Sequence, residues 1–330
     1  MAKIGDIDVG EFPLLLAPME DVSDPPFRAL CKENGADVVY TEFISSEGLI
    51  RDAAKSVQKL DIYEKERPVG IQIFGAEMES MLQAIDIVEK SNPDIIDINF
   101  GCPVKKVVSK NAGAGILRDI PLMVKLTEAM VKRTHLPVTV KTRLGWDSDA
   151  IMIKEVAERL QDVGIKAISI HGRTRVQMYK GEADWRPIAE VKNNPRMHIP
   201  VFGNGDVATP EKAVEMRDVY GLDGAMIGRA SIGYPWFFNE VKHFFKTGEH
   251  MAPPSMAERV RVARRHLEMS IDWKGEKLGV FETRRHYTNY FKGIPHFKDY
   301  RQKMVTSDDA ADVFAVFDEV LDKFSDFQFV

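Results

Sequence analysis

The stretch Ile95-Ile96-Asp97-Ile98-Asn99-Phe100-Gly101-Cys102-Pro103 decides how the rest of this 330-residue chain is interpreted. Its isoleucines predict a buried strand, which one acid interrupts. The residues after Ile98 predict the loop that leaves the C-terminal end of that strand, because Gly101 and Pro103 bracket Cys102. In a parallel α/β protein this end of a strand is where chemistry is done. The alternative is that Cys102 is a small buried apolar residue, as most free cysteines are.

Seven more short apolar runs alternate with amphipathic stretches along the chain. The eight predicted strands are 14–17, 37–40, 69–74, 95–100, 138–141, 167–170, 201–202 and 225–227. Helical periodicity separates several of them, at 78–90, 122–134, 151–163 and 211–219. Eight strand–helix alternations predict an α/β fold, the TIM (β/α)8 barrel. The alternative is a doubly wound open sheet, which the lack of a Gly-x-Gly-x-x-Gly motif after the first strand disfavours.

The pattern changes at residues 248–255, where prolines and small polar residues predict a linker. Beyond it, Val260, Ala263, Leu267 and Ile271 repeat at helical spacing. Residues 283–292 and 308–324 also predict helices. We therefore expect a barrel at 1–247, a linker at 248–255 and a small all-helical domain at 256–330.

Composition bounds the class of protein. With 44% hydrophobic and 29% charged residues, the chain has the make-up of a globular protein, and no apolar run reaches the roughly 18 residues that span a bilayer. The amino terminus has no signal-peptide core. Two cysteines make a disulfide framework unfavourable and exclude an all-cysteine metal cluster. We expect a cytoplasmic monomer without membrane or metal.

Charge is unevenly distributed around the net value of −5. Residues 241–303 contain 14 Lys and Arg against 7 Asp and Glu, whereas residues 304–330 contain 1 against 7. A basic segment in an acidic protein predicts a surface that faces a polyanion. The alternative is that these cations lie on solvated helix faces.

The loops after the last two predicted strands predict a phosphate site. Gly205 and Gly228 would let backbone N–H groups approach an anion, and Arg229 could bind phosphate with its guanidinium fork. In barrels of this kind the same two loops commonly bind phosphate. The alternative is that the glycines only make tight turns.

Two polar residues lie on predicted strands. A lysine on a buried strand needs a partner for its charge, so Lys141 would either form a structural salt bridge or serve a functional site. A flavin would use this cation, because reduction puts negative charge on its ring. Gln72 could form a hydrogen bond to the ring edge, Pro18 and Met19 could lie under the ring, and His171 could contact flavin or substrate.

Together these segments resemble the tRNA-dihydrouridine synthase family, and most of all its bacterial B-type branch. The resemblance covers nearly the whole chain, and its densest motifs are 17–24, 99–103, 141–146, 171–175 and 203–206. Tyr179, Gly181 and residues 183–185 extend the fourth of these motifs. One departure is Glu20, where many members have a smaller residue after Pro-Met.

The resemblance implies a chemical reaction. Family members bind FMN in a TIM barrel and reduce a uridine of tRNA. NADPH reduces the flavin, which then delivers hydride to C6 of uracil while an acid protonates C5. The family's acid is the cysteine of this loop, here Cys102, which must arrive as the thiol because a thiolate cannot donate a proton.

The resemblance also implies roles for the other motif residues. FMN would be held by Pro18, Met19, Glu20, Gln72, Lys141, His171, Asn204, Gly205, Asp206, Gly228 and Arg229. For Asp206 we expect backbone contact or a structural role, since its carboxylate would repel phosphate. The tRNA would be held by Asn99, Arg143, Arg173, Tyr179, Arg284 and Arg285. Further tRNA contacts are expected from Arg264, Arg265, His286, Tyr290, Lys292, Lys298 and Arg301 in the basic segment.

Two other functions stay open at this stage. One is a flavin barrel that acts on a free small pyrimidine, as dihydroorotate dehydrogenases do, which would need no basic helical domain. The other is a tRNA-binding protein without catalysis, against which the intact Cys102, Lys141 and phosphate loops argue.

Overall fold

The computed structural model describes residues 1–329 and contains a parallel barrel of eight strands. These strands are Leu14–Leu16 (β1), Val39–Tyr40 (β2), Val69–Phe74 (β3), Ile95–Asn99 (β4), Val138–Arg143 (β5), Ala167–His171 (β6), Val201–Asn204 (β7) and Gly224–Ile227 (β8). Their order is β1-β8-β7-β6-β5-β4-β3-β2, and a parallel bridge between Leu15 and Val38 joins the two ends. The predicted TIM barrel is confirmed and the open doubly wound sheet is wrong.

Helices cover the outside of the barrel. They are Pro25–Glu33 (α1), Ser46–Leu49 (α2), Ala54–Gln58 (α3), Met78–Glu89 (α4), Lys105–Val108 (α5), Ile120–Arg133 (α6), Ile153–Asp162 (α7), Arg186–Lys192 (α8), Pro210–Asp218 (α9) and Phe237–Thr247 (α10). The four long helices predicted between strands are therefore present, with ends shifted by one or two residues. A short strand, Ile44–Ser45, pairs with β3 after the barrel strand β2.

The barrel is closed at the N-terminal end of its strands by a hairpin that the sequence pattern did not predict. Its strands, Ala2–Ile4 and Ile7–Gly10, pair antiparallel. Ile4 packs in one buried cluster with Leu15 and Phe202 of the barrel. Because this end is covered, a ligand enters the barrel from the opposite end, where the strands finish.

The C-terminal part of the chain forms a helical bundle. Its helices are Met256–Lys274 (α11), Glu276–Tyr290 (α12), Lys298–Thr306 (α13) and Ala310–Phe324 (α14), of which α13 was not predicted. Gly248 ends α10 in a left-handed conformation, and the Ser255 hydroxyl accepts a hydrogen bond in the first turn of α11. We therefore propose that residues 248–255 divide barrel from bundle.

Ion pairs fix the bundle against α1 of the barrel. Arg265 binds Glu33 at 2.6 Å, and the buried Lys274 lies between Asp24 at 2.6 Å and Glu282 at 2.7 Å. The bundle therefore borders the first strands of the barrel. Within residues 1–329, no helix has both the length and the apolar character that crossing a bilayer requires.

Candidate functional site

A cavity of about 880 Å³ opens at the C-terminal ends of the barrel strands. Its wall includes most of the predicted site residues: Pro18, Met19, Glu20, Asn99, Cys102, Lys141, Arg143, His171, Tyr179, Asn204, Gly205, Asp206, Gly228 and Arg229. Gln72 and Arg173 are buried behind this wall, and Arg284 and Arg285 lie on α12. The strand-end loops thus bring together residues that are as far apart in the chain as Pro18 and Arg229.

Cys102 lines the cavity on the loop after β4, with 7% of its surface exposed. Burial raises the pKa of its thiol above the ordinary value, and the backbone N–H of Val104, which favours the thiolate, offsets only part of this. Cys102 is therefore a thiol at neutral pH. This state can donate a proton but is a poor nucleophile.

Asn99 and Arg143 hold the loop that carries this thiol. The Asn99 side-chain oxygen accepts the backbone N–H groups of Gly101, at 3.0 Å, and Cys102, at 2.8 Å. Arg143 Nε donates to the carbonyl of Gly101 at 2.7 Å. The same guanidinium donates through Nη1 to the carbonyls of Thr174 and Met178. Within residues 1–329 its Nη2 has no hydrogen-bond partner, so this end of Arg143 is available to a ligand.

A buried polar chain supports Asn99 from below. Asn99 Nδ2 donates to Gln72 Oε1 at 2.7 Å, and Gln72 Nε2 donates to Asp97 at 2.5 Å. Thr139 donates its hydroxyl proton to the same carboxylate. Burial raises the pKa of Asp97 to about 6. Both ends of the Gln72 amide are thus bound by protein groups. Gln72 does not line the cavity, so it lies away from the position that the predicted contact with a flavin requires.

Lys141 supplies a half-buried cation to the cavity. Its Nζ donates to Asn204 Oδ1 at 3.1 Å, and Asn204 in turn donates to the carbonyl of Met226. No carboxylate in residues 1–329 lies within ion-pair distance of Lys141. Burial, followed by repulsion from Arg143, lowers the pKa of the ammonium to about 8. Lys141 therefore remains mostly charged at neutral pH and has donors to spare for a ligand.

His171 is neutral and oriented by Arg173. Burial lowers the pKa of His171 well below its ordinary value, and nearby cations lower it further. Arg173 Nη1 lies 3.2 Å from His171 Nε2, and because arginine only donates, Nε2 must be the accepting nitrogen. Arg173 is otherwise bound to Asp206 at 2.6 Å and to the carbonyls of Lys180 and Gly181. Arg173 is thus buried behind the cavity wall, where it holds His171 and Asp206. It does not line the cavity, where the predicted contact with tRNA would need it.

The loops after β7 and β8 form one side of the cavity, where the sequence predicts a phosphate site. Gly205 has a φ of +109°, and a Cβ there would lie 2.8 Å from the His171 ring. At Gly228 an added Cβ would make ordinary contacts with Ala17 and Met19, both at 3.6 Å. Asp206 pairs with Arg173 and, at 3.0 Å, with Arg229. Two guanidinium groups thus outweigh one carboxylate, and Arg229 is 60% exposed at the side chain.

Glu20 lies at the rim of the cavity beside Lys59. The Nζ of Lys59 is 2.7 Å from Glu20 and 3.3 Å from Glu42. The exposed Tyr179 lies across the cavity between the guanidiniums of Arg143 and Arg229, at 5.7 and 5.5 Å from its ring. Both residues are therefore close enough to the opening to meet an entering ligand.

The basic residues of the bundle differ in how free they are. Arg264 pairs with Asp318, Arg284 with Asp308, and Arg285 with Asp21 of the barrel. Lys292, Lys298 and Arg301 are exposed and form no ion pair within residues 1–329. His286 and Tyr290 are buried against Phe27 and His266, so the prediction that they contact tRNA is wrong. Their spacing of four on one helix face was a signal of shared burial.

Comparison with known proteins agrees with this geometry. A profile of the dihydrouridine synthase (Dus) family matches residues 15–327. This chain belongs to the dihydrouridine synthase family. The match includes both the barrel and the bundle, so the resemblance noted in the motifs extends over nearly all of the sequence.

Curated relatives align with this chain over most of its length. A probable tRNA-dihydrouridine synthase from Rickettsia conorii is 38% identical over 302 residues, which are 91% of this chain and 90% of the relative. A tRNA-dihydrouridine synthase B from Pseudomonas putida is also 38% identical, over 310 residues, 93% of this chain and 91% of the relative.

Solved structures confirm the fold alone. Histamine dehydrogenase from Rhizobium sp. 4-9 aligns with a TM-score of 0.54 at 12% identity, over 80% of this chain and 50% of that one. An amine oxidase from Pseudomonas geniculata N1 aligns with a TM-score of 0.57 at 14% identity, over 78% of this chain and 52% of that one. This dihydrouridine synthase therefore spans about half the length of these solved structures.

Proposed function

We propose that this dihydrouridine synthase acts on tRNA, binds FMN in the barrel cavity and takes its electrons from NADPH. The observation that carries the proposal is the protonated Cys102 thiol, which lines the same cavity as the Lys141 ammonium. Family membership supports the reaction, and the names of the Rickettsia and Pseudomonas relatives support tRNA as the substrate.

The residues present fit a flavin nucleotide. The cavity volume of about 880 Å³ is within the range of pockets that take cofactors. Arg229 and the backbone at Gly228, which both line the cavity, would bind the phosphate, and Gly205 would let the chain pass closely. Lys141 has unused donors for the electron-rich edge of the ring. Pro18 and Met19 supply apolar wall.

The chemistry divides between cofactor and protein. FMN held beside Lys141 and Arg229 would, after reduction by NADPH, supply the hydride for C6 of uracil. Cys102 Sγ holds the proton that C5 needs, and burial keeps it there at neutral pH. Its transfer leaves a thiolate, which takes a proton from solvent before the next cycle. The Nη2 of Arg143, which has no hydrogen-bond partner in residues 1–329, would bind a uracil carbonyl or a nearby phosphate.

The target base must leave the tRNA interior to enter this cavity. Extruding a base costs a few kcal/mol, which phosphate and stacking contacts elsewhere offset. Tyr179 at the opening offers an exposed ring, and Lys292, Lys298 and Arg301 on the bundle offer free cations. These four residues would therefore provide the main contacts with tRNA outside the cavity.

Mass spectrometry of the product tests the proposal. Purified protein is incubated with FMN, NADPH and tRNA that lacks dihydrouridine, and with free uridine in a parallel sample. The expected result is dihydrouridine in tRNA alone. Dihydrouridine from free uridine but not from tRNA would favour the small-pyrimidine reductase instead. Tight tRNA binding without any product would favour the non-catalytic tRNA-binding protein.

A further inference from the structure

A second cavity of about 850 Å³ adjoins the first at the mouth of the barrel. Glu20, Phe43 and Val104 line both cavities, so the two are neighbours across a shared wall. Under that wall Cys102, Val107 and Phe43 pack in one apolar cluster. A group bound in the second cavity is therefore next to whatever reacts at Cys102.

The second cavity has cations that the protein leaves unpaired. Lys55, Lys106 and Lys110 line it, are exposed and form no ion pair within residues 1–329. Because the side chains are long and positive, they suit a phosphate group that approaches from solvent.

The carboxylates of the same cavity do not cancel these charges. Glu20 is bound by Lys59 at 2.7 Å and Glu47 by Arg51 at 2.7 Å. Glu77 is the lining carboxylate for which no ion pair is found in residues 1–329. Three free lysines thus face one free carboxylate, and the cavity favours an anion.

The rest of the lining suits a base and a ribose. Phe43 and Phe74 meet edge to face, with ring centroids 5.5 Å apart, and both are partly exposed. Ser45 and Ser56 add hydroxyl groups beside them. Aromatic rings with adjacent cations are the usual means of holding single-stranded nucleic acid without reading its sequence.

The position of the cavity also points to a polymer. Lys55 on helix α3 and Lys59 directly after it line the cavity, and Gln58 of the same helix donates to the carbonyl of Trp273 in the bundle. The second cavity therefore borders the bundle on the side of the barrel where α11 is packed. An RNA strand held by the bundle and reacting at Cys102 would have its neighbouring nucleotides on this side.

We propose that the second cavity binds the nucleotide next to the target uridine in the RNA chain. Its phosphate would lie at Lys106 and Lys110, and its base against Phe74. This inference rests on the proposed action on tRNA and deepens it. In this proposal the two lysines hold the RNA strand in place after the target base has left its stack.

Charge-neutral variants test this assignment. The double variant Lys106→Gln/Lys110→Gln is compared with Lys90→Gln/Lys166→Gln, which removes the same charge from two exposed lysines that precede β4 and β6 at the other end of the barrel. We expect the first pair to raise the KM for tRNA lacking dihydrouridine by roughly tenfold and to lower the salt dependence of tRNA binding by about two in log–log slope. The second pair should leave both unchanged.

Reduction of the bound flavin by NADPH provides the second readout. It should proceed at the wild-type rate in the Lys106→Gln/Lys110→Gln variant. Slower reduction with an unchanged tRNA KM would show that the cavity serves the nucleotide end of the reductant and would overturn the assignment. Equal tRNA KM values for the two double variants would also overturn it. A wild-type protein that forms no dihydrouridine would instead refute the proposed function.

Chemical protection gives an independent check on the wild-type protein. Acetylation of Lys106 and Lys110, followed by mass spectrometry, is measured with and without tRNA. Protection of both relative to Lys90 and Lys166 is expected. Equal acetylation with and without saturating tRNA would contradict the proposal.

Discussion

The side-chain oxygen of Asn99 accepts the backbone N–H of Cys102 at 2.8 Å, so the loop that carries the thiol is fixed by the strand that precedes it. Asn99 is in turn held by Gln72, and Gln72 by Asp97. The acid of the proposed reaction is therefore positioned by a chain of side chains that begins inside the barrel. In enzymes, misplacing a reacting group by about 1 Å can cost two orders of magnitude in rate.

Asn99→Ala should disorder this loop. It leaves the amides of Gly101 and Cys102 unpaired, at a cost of about 1–3 kcal/mol for each buried group. We expect the single-turnover rate of uridine reduction by the pre-reduced enzyme to fall roughly tenfold to a hundredfold. Asn193→Ala, an exposed change at the end of α8, is the control. A wild-type rate for Asn99→Ala would contradict the positioning role.

The pH dependence of that rate should be bell-shaped. Burial raises the pKa of Asp97 to about 6, and below this pH the protonated carboxyl no longer accepts from both Gln72 and Thr139. At high pH the rate should fall as Cys102 loses its proton, at a pH above the ordinary thiol value because burial raises its pKa. Asp97→Asn should abolish the acid limb, and an unchanged acid limb in this variant would exclude Asp97 as its source.

The raised pKa of Asp97 also makes the free energy of unfolding depend on pH. The folded protein keeps Asp97 protonated up to about pH 6, whereas the unfolded chain releases this proton near its ordinary pKa of 3.8. The free energy of unfolding contributed by Asp97 should therefore decrease as pH rises between these values. Urea unfolding across this pH range measures the free energy of unfolding of wild type and of Asp97→Asn. A difference between the two that does not change with pH would show that Asp97 does not titrate in this range.

Lys141→Met should weaken the flavin site. The ammonium has no carboxylate within ion-pair distance in residues 1–329, so its loss breaks no direct ion pair. Hydrogen bonds to charged groups contribute about 1.5–3 kcal/mol, so FMN affinity should fall by roughly tenfold to a hundredfold. The bound flavin should also be harder to reduce, because the cation that stabilises the reduced anion is missing. Flavin fluorescence and a redox titration measure the two effects, with Lys166→Met as control.

Paired and free cations of the bundle should differ in their effect on tRNA binding. Lys298→Gln and Arg301→Gln remove exposed charges that have no ion pair in the described chain, and each should lower the salt slope of tRNA binding by about one. Arg264→Gln removes a charge already bound to Asp318 and should change the slope much less. Equal effects from all three would show that the ion pair opens on binding.

Much of the site follows from the sequence because strand ends are predictable. The apolar run at 95–98 predicted that Cys102 lies on the loop after a strand, which the structure confirms, although Asn99 is the last residue of β4 and not the first of the loop. The glycines after β7 and β8 line the same cavity, and their binding of phosphate remains a prediction. The position of Gln72 could not be predicted in the same way. Its partner depends on strand register, which sets Gln72 opposite Asp97, and that pairing draws its amide away from the cavity wall.

Other features depend on contacts between distant segments. The second cavity is made by α3, β3 and α5, and no single motif marks it. The spacing of His286 and Tyr290 puts them on one face of α12, but whether that face is buried depends on its packing against Phe27 of the barrel. The expected monomer, the absence of a metal and the cytoplasmic location remain predictions.

The most direct test combines flavin reduction and base reduction in one sample of Cys102→Ala. The account predicts that this variant binds FMN and reacts with NADPH as the wild type does, while dihydrouridine formation in tRNA falls by about 10²–10⁴-fold. Cys31→Ala, which removes a buried thiol away from the cavity, should keep the reaction. Dihydrouridine formed by Cys102→Ala at the wild-type rate would contradict the assignment of Cys102 as the proton donor.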